Sequence, residues 1–509
     1  MRSLGIVAAA VLSGLLTSLA FAPFNIWAAV LGLTAFSLLN LRLTPKKSSL
    51  AGYAFGCGLF SVTISYVGVM GAWIGVLMVA VMSLYTALYG FLVNLAQRFR
   101  AWPLLVSAAW IAIEFCWSRF PLGGFGWVRL AFTTPDQPLG GYLWLVGSPG
   151  AGFLVALCAN LIGYATVALT AKRLLSGFIA LATPLLVFGL GGLSLALTPL
   201  EEGSEEVTVG IVQGNVDGSA GPRAMGYARS VTNNHLSETV VLMAKAKTSG
   251  QDVDVVVWPE NSSDHDPTVD EKTAVTVSEA SDLVDAPLLI GAVMEGPGDD
   301  ERQTSSLWYD HSGNLIARHD KRNAVPFGEY TPFKEIVFKL VPMAQQVGKQ
   351  TVEGETAGVL EVPVNGVPTR VGTIICYELA FDNTVYDIGR NDAELVTVQS
   401  NNATYTGTLQ PKQQFQITRV RAMELGREIA VSTTSSYSGL IGAKGEVLDR
   451  TEEATADSRI YTLPKRTAIN PSVWLGPAVE YACLSVTLLF VTLTALKRTW
   501  RPAKIRSHE

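Results

Sequence analysis

The chain has 509 residues, 49% of them hydrophobic and 16% charged, with a positive mean hydropathy, which excludes an ordinary soluble enzyme. The net charge of −5 is modest and no long basic patch lies outside the flanks of the apolar runs, so nothing supports nucleic-acid binding.

In chain order, apolar runs at 4–21, 24–41, 50–71, 73–96, 102–118, 147–170 and 175–198 predict seven transmembrane helices in a domain spanning 1–200. An eighth, at 473–495, lies in the segment 470–496. Each is long enough, or nearly so, to cross about 30 Å of hydrocarbon. Glu114 and Arg119 interrupt the end of the fifth. The first follows Arg2 as a signal peptide would, but no persuasive cleavage site precedes the next run, so it is expected to be retained. If eight spans alternate, Arg2, Arg42, Lys46, Lys47, Arg98, Arg100, Lys172, Arg173 and the basic tail 497–509 share one side. The positive-inside rule makes that side the cytoplasm, with both termini there, and leaves 205–465 outside.

Between 205 and 465 the pattern changes to short β-branched runs at 207–212, 253–258, 287–291, 369–376, 395–398 and 429–432, with helical stretches at 224–247, 271–284 and 409–426. Strands alternating with helices predict an α/β layered domain, long enough for one sizeable core. Three strand ends carry chemistry: Trp258-Pro259-Glu260, Lys321 before the loop Val325-Pro326-Phe327-Gly328-Glu329-Tyr330, and Cys376 at the close of Val371-Gly-Thr-Ile-Ile-Cys376. A carboxylate, an ammonium and a thiol suffice for acyl transfer as base, oxyanion stabiliser and nucleophile. Separately, a Glu after a strand is usually a solvated cap, a Lys before a loop is usually surface, and a free Cys is usually a small buried hydrophobe; their combination is what points to a site. Cys57, Cys116, Cys158 and Cys483 lie in the apolar runs, so Cys376 has no disulfide partner in the polar region. A helix N-terminus after Cys376 is expected to favour its thiolate. His235, His265, His311, His319 and His508 show no metal-ligand spacing, and neither a metal nor another cofactor is expected.

These motifs resemble the Glu-Lys-Cys signature of the nitrilase superfamily, and their membrane setting resembles the apolipoprotein N-acyltransferase family, over essentially the whole chain. The likeness extends to Leu19-Ala-Phe-Ala-Pro-Phe24, Trp110, Glu114, Val212-Gln-Gly-Asn215, Cys376-Tyr377-Glu378 and Arg419-Val-Arg-Ala-Met-Glu-Leu-Gly-Arg427. It implies a multi-span α-helical protein of a bacterial inner or plasma membrane, with eight transmembrane helices and an inserted α/β nitrilase-like αββα sandwich. It also implies transfer of an acyl chain from a phospholipid donor, through a thioester on Cys376, to the α-amine of a diacylglyceryl-cysteine at a lipoprotein N-terminus. Glu260 is then the base, Lys321 the oxyanion stabiliser and Cys376 the nucleophile; Glu329 and Glu378 position Lys321 and shape the pocket, and Tyr377 orders the turn. The chain departs from the family pattern where Tyr405 is the sole aromatic after Ser400-Asn-Asn-Ala-Thr404, where Thr304 replaces an expected Asn, and where Met225 and Tyr227 replace an expected Trp. These loops are expected to line the lipid entrance.

A membrane-anchored amidase would use the same three residues with water as acceptor. An apolar groove near 216–230 and 341–350 discriminates against it by excluding water, and Phe333, Ile336, Val337, Phe338, Leu340, Val341 and Met343 supply an amphipathic stretch whose plainer reading is core packing. A scaffold that has lost activity requires a degenerate triad, which this is not. A transporter requires buried charges in the spans, where the sequence offers Glu114 and little else.

Overall fold

The structure is a computed structural model that describes residues 3–198, 200–203, 205–218, 220–221 and 224–499. Arg2 and the tail from residue 500 lie outside the described residues, as do parts of the expected entrance loop at 219 and 222–223. The side chains of Lys497, Arg498, Leu340 and Met343 are likewise not described.

Seven apolar helices come first: α1 (Ser3–Ser18), α2 (Val30–Asn40), α3 (Pro45–Thr63), α4 (Ala72–Ala96), α5 (Trp102–Trp117), α6 (Leu143–Thr170) and α7 (Leu174–Leu197). Then follow β1 (Glu206–Gln213), α8 (Ser230–Ser249), β2 (Val255–Val257), α9 (Glu271–Val284), β3 (Leu288–Glu295), β4 (Glu301–Tyr309), β5 (Leu315–Asp320), α10 (Lys334–Leu340), β6 (Gln350–Thr351), β7 (Val359–Val364), β8 (Val367–Ile375), α11 (Asp382–Arg390), β9 (Leu395–Ser400), α12 (Gln410–Leu425), β10 (Ile429–Thr433), β11 (Gly439–Ile441), β12 (Val447–Arg450) and β13 (Asp457–Pro464). The apolar α13 (Ser472–Thr499) closes the described chain.

A helix thus lies at each of the eight predicted runs. Among the described residues, however, only Ala72–Ala96, Pro138–Thr170, Leu174–Leu197 and Ser472–Leu496 are long and apolar enough to cross a membrane by themselves. The run predicted from residue 24 is shortened because Pro23 and Asn25, the latter with φ of 51°, form a turn before α2. The run predicted over 50–71 passes from α3 into a 3₁₀ turn at Ser65–Met70. Within α6, Gly147 (φ 61°, ψ −172°) breaks the helix; Pro149 then sits in the first turn of the new segment, where its missing N–H costs nothing. Glu114 is not the sole buried charge in these helices: Glu480 of α13 is also buried and pairs with Arg119 at 2.6 Å.

Two sheets form the inserted domain, ordered β13-β1-β2-β3-β4-β5 with β6 on β4, and β12-β11-β10-β9-β8-β7. Their inner faces meet through Val255, Val257, Leu289 and Trp308 of one sheet and Leu360, Val371, Leu395 and Ala430 of the other. Val256, between two inward valines, points the other way to pack with Leu242 of α8 and Val277 and Ala280 of α9, as the two-residue period of a strand buried on both faces requires. The outer face of the second sheet carries α11 and α12, whose Val385, Ile388, Ile417 and Val420 join one core with Trp110, Trp117 and Phe132 of the membrane-helix part. The αββα sandwich therefore rests on the apolar helices through its α11/α12 layer.

Candidate active site

Lys321 and Cys376 follow directly on β5 and β8, and Glu260 comes after β2 and the intervening Trp258-Pro259; the three strands come from two sheets whose ends converge. Buried polar contacts fix the floor beneath them: Gln399 of β9 donates to Trp258 O at 2.6 Å and accepts from Ser306 at 2.5 Å and Thr373 at 3.0 Å. The turn carrying the carboxylate needs a glycine beside it, because a Cβ on Gly291 would stand 2.3 Å from Pro259 O and 2.6 Å from Glu260 Cα. Cys376 has φ of 52°, a left-handed conformation costly for a side-chain-bearing residue and typical of functional turns.

The Lys321 ammonium donates to Glu260 Oε1 at 2.7 Å and to Glu329 Oε1 at 2.9 Å. The other Glu260 oxygen accepts from Asn401 N–H at 2.8 Å, and Glu329 Oε2 from Val325 N–H at 2.6 Å. Glu260 is 3% exposed, Lys321 1% and Cys376 8%, so these charges act with little screening. Burial raises the Glu260 carboxyl above the ordinary glutamate range, opposed chiefly by Lys321. Burial works against the charged ammonium of Lys321, but Glu260 and Glu329 outweigh it and hold the group well above an ordinary lysine. The Cys376 thiol is pushed far up, first by burial and then by the charge of Glu260, with Lys321 and the Asn401 N–H opposing. This overturns the expectation of a helix-favoured thiolate. A short 3₁₀ turn (Cys376–Ala380) follows the cysteine, not an α-helix, and its environment keeps the proton on sulfur.

Glu378 does not hydrogen-bond Lys321. Its oxygens accept from Arg322 N–H at 2.6 Å and Ile375 N–H at 2.7 Å, so it ties the backbone beside the lysine to the backbone before the cysteine. Tyr377 stacks on Trp127 (centroids 6.0 Å apart, 20° between planes) and donates to Gly124 O at 3.1 Å. Gly126 lies close beneath this turn, where a Cβ would come within 2.6 Å of Ala380 O. Tyr405 packs edge-on to Tyr66 at 5.4 Å, beside Cys376, its hydroxyl raised to about 12 mainly by burial. Thr304 supplies its carbonyl to Lys321 N–H at 2.8 Å, with its hydroxyl 3.5 Å from Glu329 Oε1. The amphipathic stretch is not core: Phe333 and Ile336 are 71% and 61% exposed. Asn401 was missed by sequence reasoning, and so was Gln414, whose Oε1 lies 3.8 Å from Cys376 Sγ.

Residues 13–161 match the model described as apolipoprotein N-acyltransferase N-terminal domain, and residues 208–467 match carbon-nitrogen hydrolase. A protein named apolipoprotein N-acyltransferase from Mycolicibacterium smegmatis is 30% identical over 97% of this chain and 86% of its own length. The chain belongs to the apolipoprotein N-acyltransferase family. A relative of the same name from Vibrio parahaemolyticus is 23% identical over 97% of both chains. Among solved structures, an amidase from Nesterenkonia sp. aligns with a TM-score of 0.36 and 15% identity, covering 54% of this chain and 94% of that one. Family membership accounts for the pairing of an apolar helical part with a carbon-nitrogen hydrolase fold in one chain.

Proposed function

We propose that this acyltransferase moves an acyl chain from a phospholipid, through a thioester on Cys376, to the α-amine of an N-terminal diacylglyceryl-cysteine of a lipoprotein. The observation that carries the reading is the buried ammonium of Lys321 held between two carboxylates beside a protonated thiol. Glu260 takes the thiol proton as Sγ attacks the ester carbonyl. An ammonium has three N–H bonds; two go to Glu260 and Glu329, and the third stabilises the oxyanion. Collapse breaks the ester C–O bond, and the proton on Glu260 passes to the departing lysophospholipid oxygen. The amine then attacks the thioester, gives a proton to Glu260, and expels sulfur, which recovers that proton.

The same residues with water as acceptor would make an amidase. The 8% exposure of Cys376 and the apolar side chains of Phe333 and Ile336 on the segment after Glu329 favour a lipid-facing site over a hydrolytic one. We place all eight apolar helices across the membrane, with both termini in the cytoplasm and 205–465 outside, on the basic-residue distribution. Single-cysteine labelling with a membrane-impermeant thiol reagent tests this: label at 200–203 from the outside and none at 97–101 is expected, and the reverse pattern sinks it. For the chemistry, intact-mass measurement after mixing with phospholipid should show an added fatty-acyl mass that hydroxylamine removes. The same adduct on Cys376→Ala would sink the nucleophile assignment.

A further inference from the structure

We propose that Gln414 is a positioning residue for the nucleophile: its side-chain carbonyl is the resting partner of the Cys376 S–H bond and sets how readily that bond turns to Glu260. The proposal rests on Cys376 being the nucleophile. Gln414 Oε1 lies 3.8 Å from Sγ, within hydrogen-bond range for sulfur. The same oxygen accepts from Asn402 Nδ2 at 2.7 Å and Gln410 Nε2 at 2.9 Å, while Gln414 Nε2 donates to Ser400 Oγ at 2.5 Å. Asn402 Nδ2 also donates to Gln410 Oε1 at 2.9 Å. All four side chains are buried. Reversing the Gln414 amide would set its NH₂ against the NH₂ groups of Asn402 and Gln410, so the network fixes the oxygen toward sulfur.

That orientation has a chemical direction. A carbonyl oxygen can accept from a thiol but only repels a thiolate, so Gln414 favours the protonated nucleophile. The other charged or titratable groups facing the sulfur are Glu260, Lys321, Glu329 and Tyr405, and of these Lys321 alone favours the thiolate. During acylation the S–H bond leaves Gln414, its proton goes to the Glu260 carboxylate, and the sulfur electron pair forms the bond to the ester carbon. The sulfur thus remains protonated until an ester is there to receive it.

The test is the rate of Cys376 alkylation by iodoacetamide in the full chain in detergent, read at residue 376 by peptide mass spectrometry between about pH 7 and 10, where the rate follows the thiolate fraction. Gln414→Met removes the carbonyl at similar length and should speed alkylation about tenfold at each pH. Gln414→Glu keeps acceptors for Asn402, Gln410 and the thiol, and Ser400 can turn its hydroxyl to donate; alkylation should slow by about tenfold or more. Unchanged rates in both variants, or faster alkylation in Gln414→Glu, would overturn the proposal. Should Gln414→Met fail to fold, Gln414→Glu decides alone. A wild-type protein that formed no acyl-enzyme would remove the functional reading and leave these alkylation rates to decide on Gln414.

Discussion

Lys321 is the side chain on which the site's electrostatics turn, because it is hydrogen-bonded to both Glu260 and Glu329. Lys321→Met should destabilise the chain by about 3–5 kcal/mol, since the buried Glu260 and the partly buried Glu329 would lose their partner; thermal unfolding in detergent measures this, and an unchanged Tm would contradict it. Glu260→Gln keeps the shape and loses the base, so acylation should slow about 10²–10⁴-fold. Its pH dependence has a defined sign: acylation needs the carboxylate, and burial raises its protonation range, so the acidic limb of kcat/KM should lie above that of an ordinary glutamate. The triad was legible because each member ends a β-branched run. Gln414 was not, because α12 carries Gln410, Gln413, Gln414 and Gln416 and a glutamine-rich helix reads as a solvated face. It is in fact buried on nearly every side, as 205–465 alone could not reveal.

Elements place these groups by where strands stop. The predicted strands at 207–212, 369–376 and 395–398 lie on β1, β8 and β9, and the predicted helix 271–284 coincides with α9, whose start Asp270 caps by accepting from Thr273 N–H at 2.9 Å. The helix expected over 224–247 is α8, which starts at Ser230, after Arg229 in the left-handed region (φ 64°). The strand β4 was legible only from Ser305 to Trp308, because its start, Glu301-Arg-Gln-Thr304, is polar. The buried Ser306 hydroxyl is satisfied across to the other sheet, by Gln399 and Thr373, a pairing that no local pattern encodes. Gly291 of β3 bears on the site most directly. Gly291→Ala should push the Pro259-Glu260 turn away, costing about 1–3 kcal/mol and lowering the acylation rate; retained acylation would show that the turn can yield.

At the scale of the molecule, two buried histidines make the fold acid-sensitive. His235 and His319 are held neutral mainly by burial, each lowered to about 4. Below about pH 6.5 the unfolded chain binds more protons than the folded one, so stability is complete above that pH and falls as pH drops toward 4, by on the order of 3 kcal/mol per histidine. The fall in Tm over that window should shrink in His319→Phe; an equal fall would assign it elsewhere. The eight apolar runs were legible as helices, but not the network that seats the catalytic layer on them. Arg421 of α12 pairs with Asp382 at 2.9 Å and Glu424 at 2.5 Å and donates to Leu379 O at 2.8 Å, and Arg129 reaches the same Asp382 at 2.5 Å. Meanwhile Glu424 accepts from Ser148 N–H just after the break in α6. Since this layer shares its apolar interior with Trp110 and Phe132, the catalytic half has no finished underside of its own. Cut free at its two junctions, it would present a greasy wall studded with orphaned charges, and should be recovered as aggregate where a self-sufficient hydrolase would be recovered in solution.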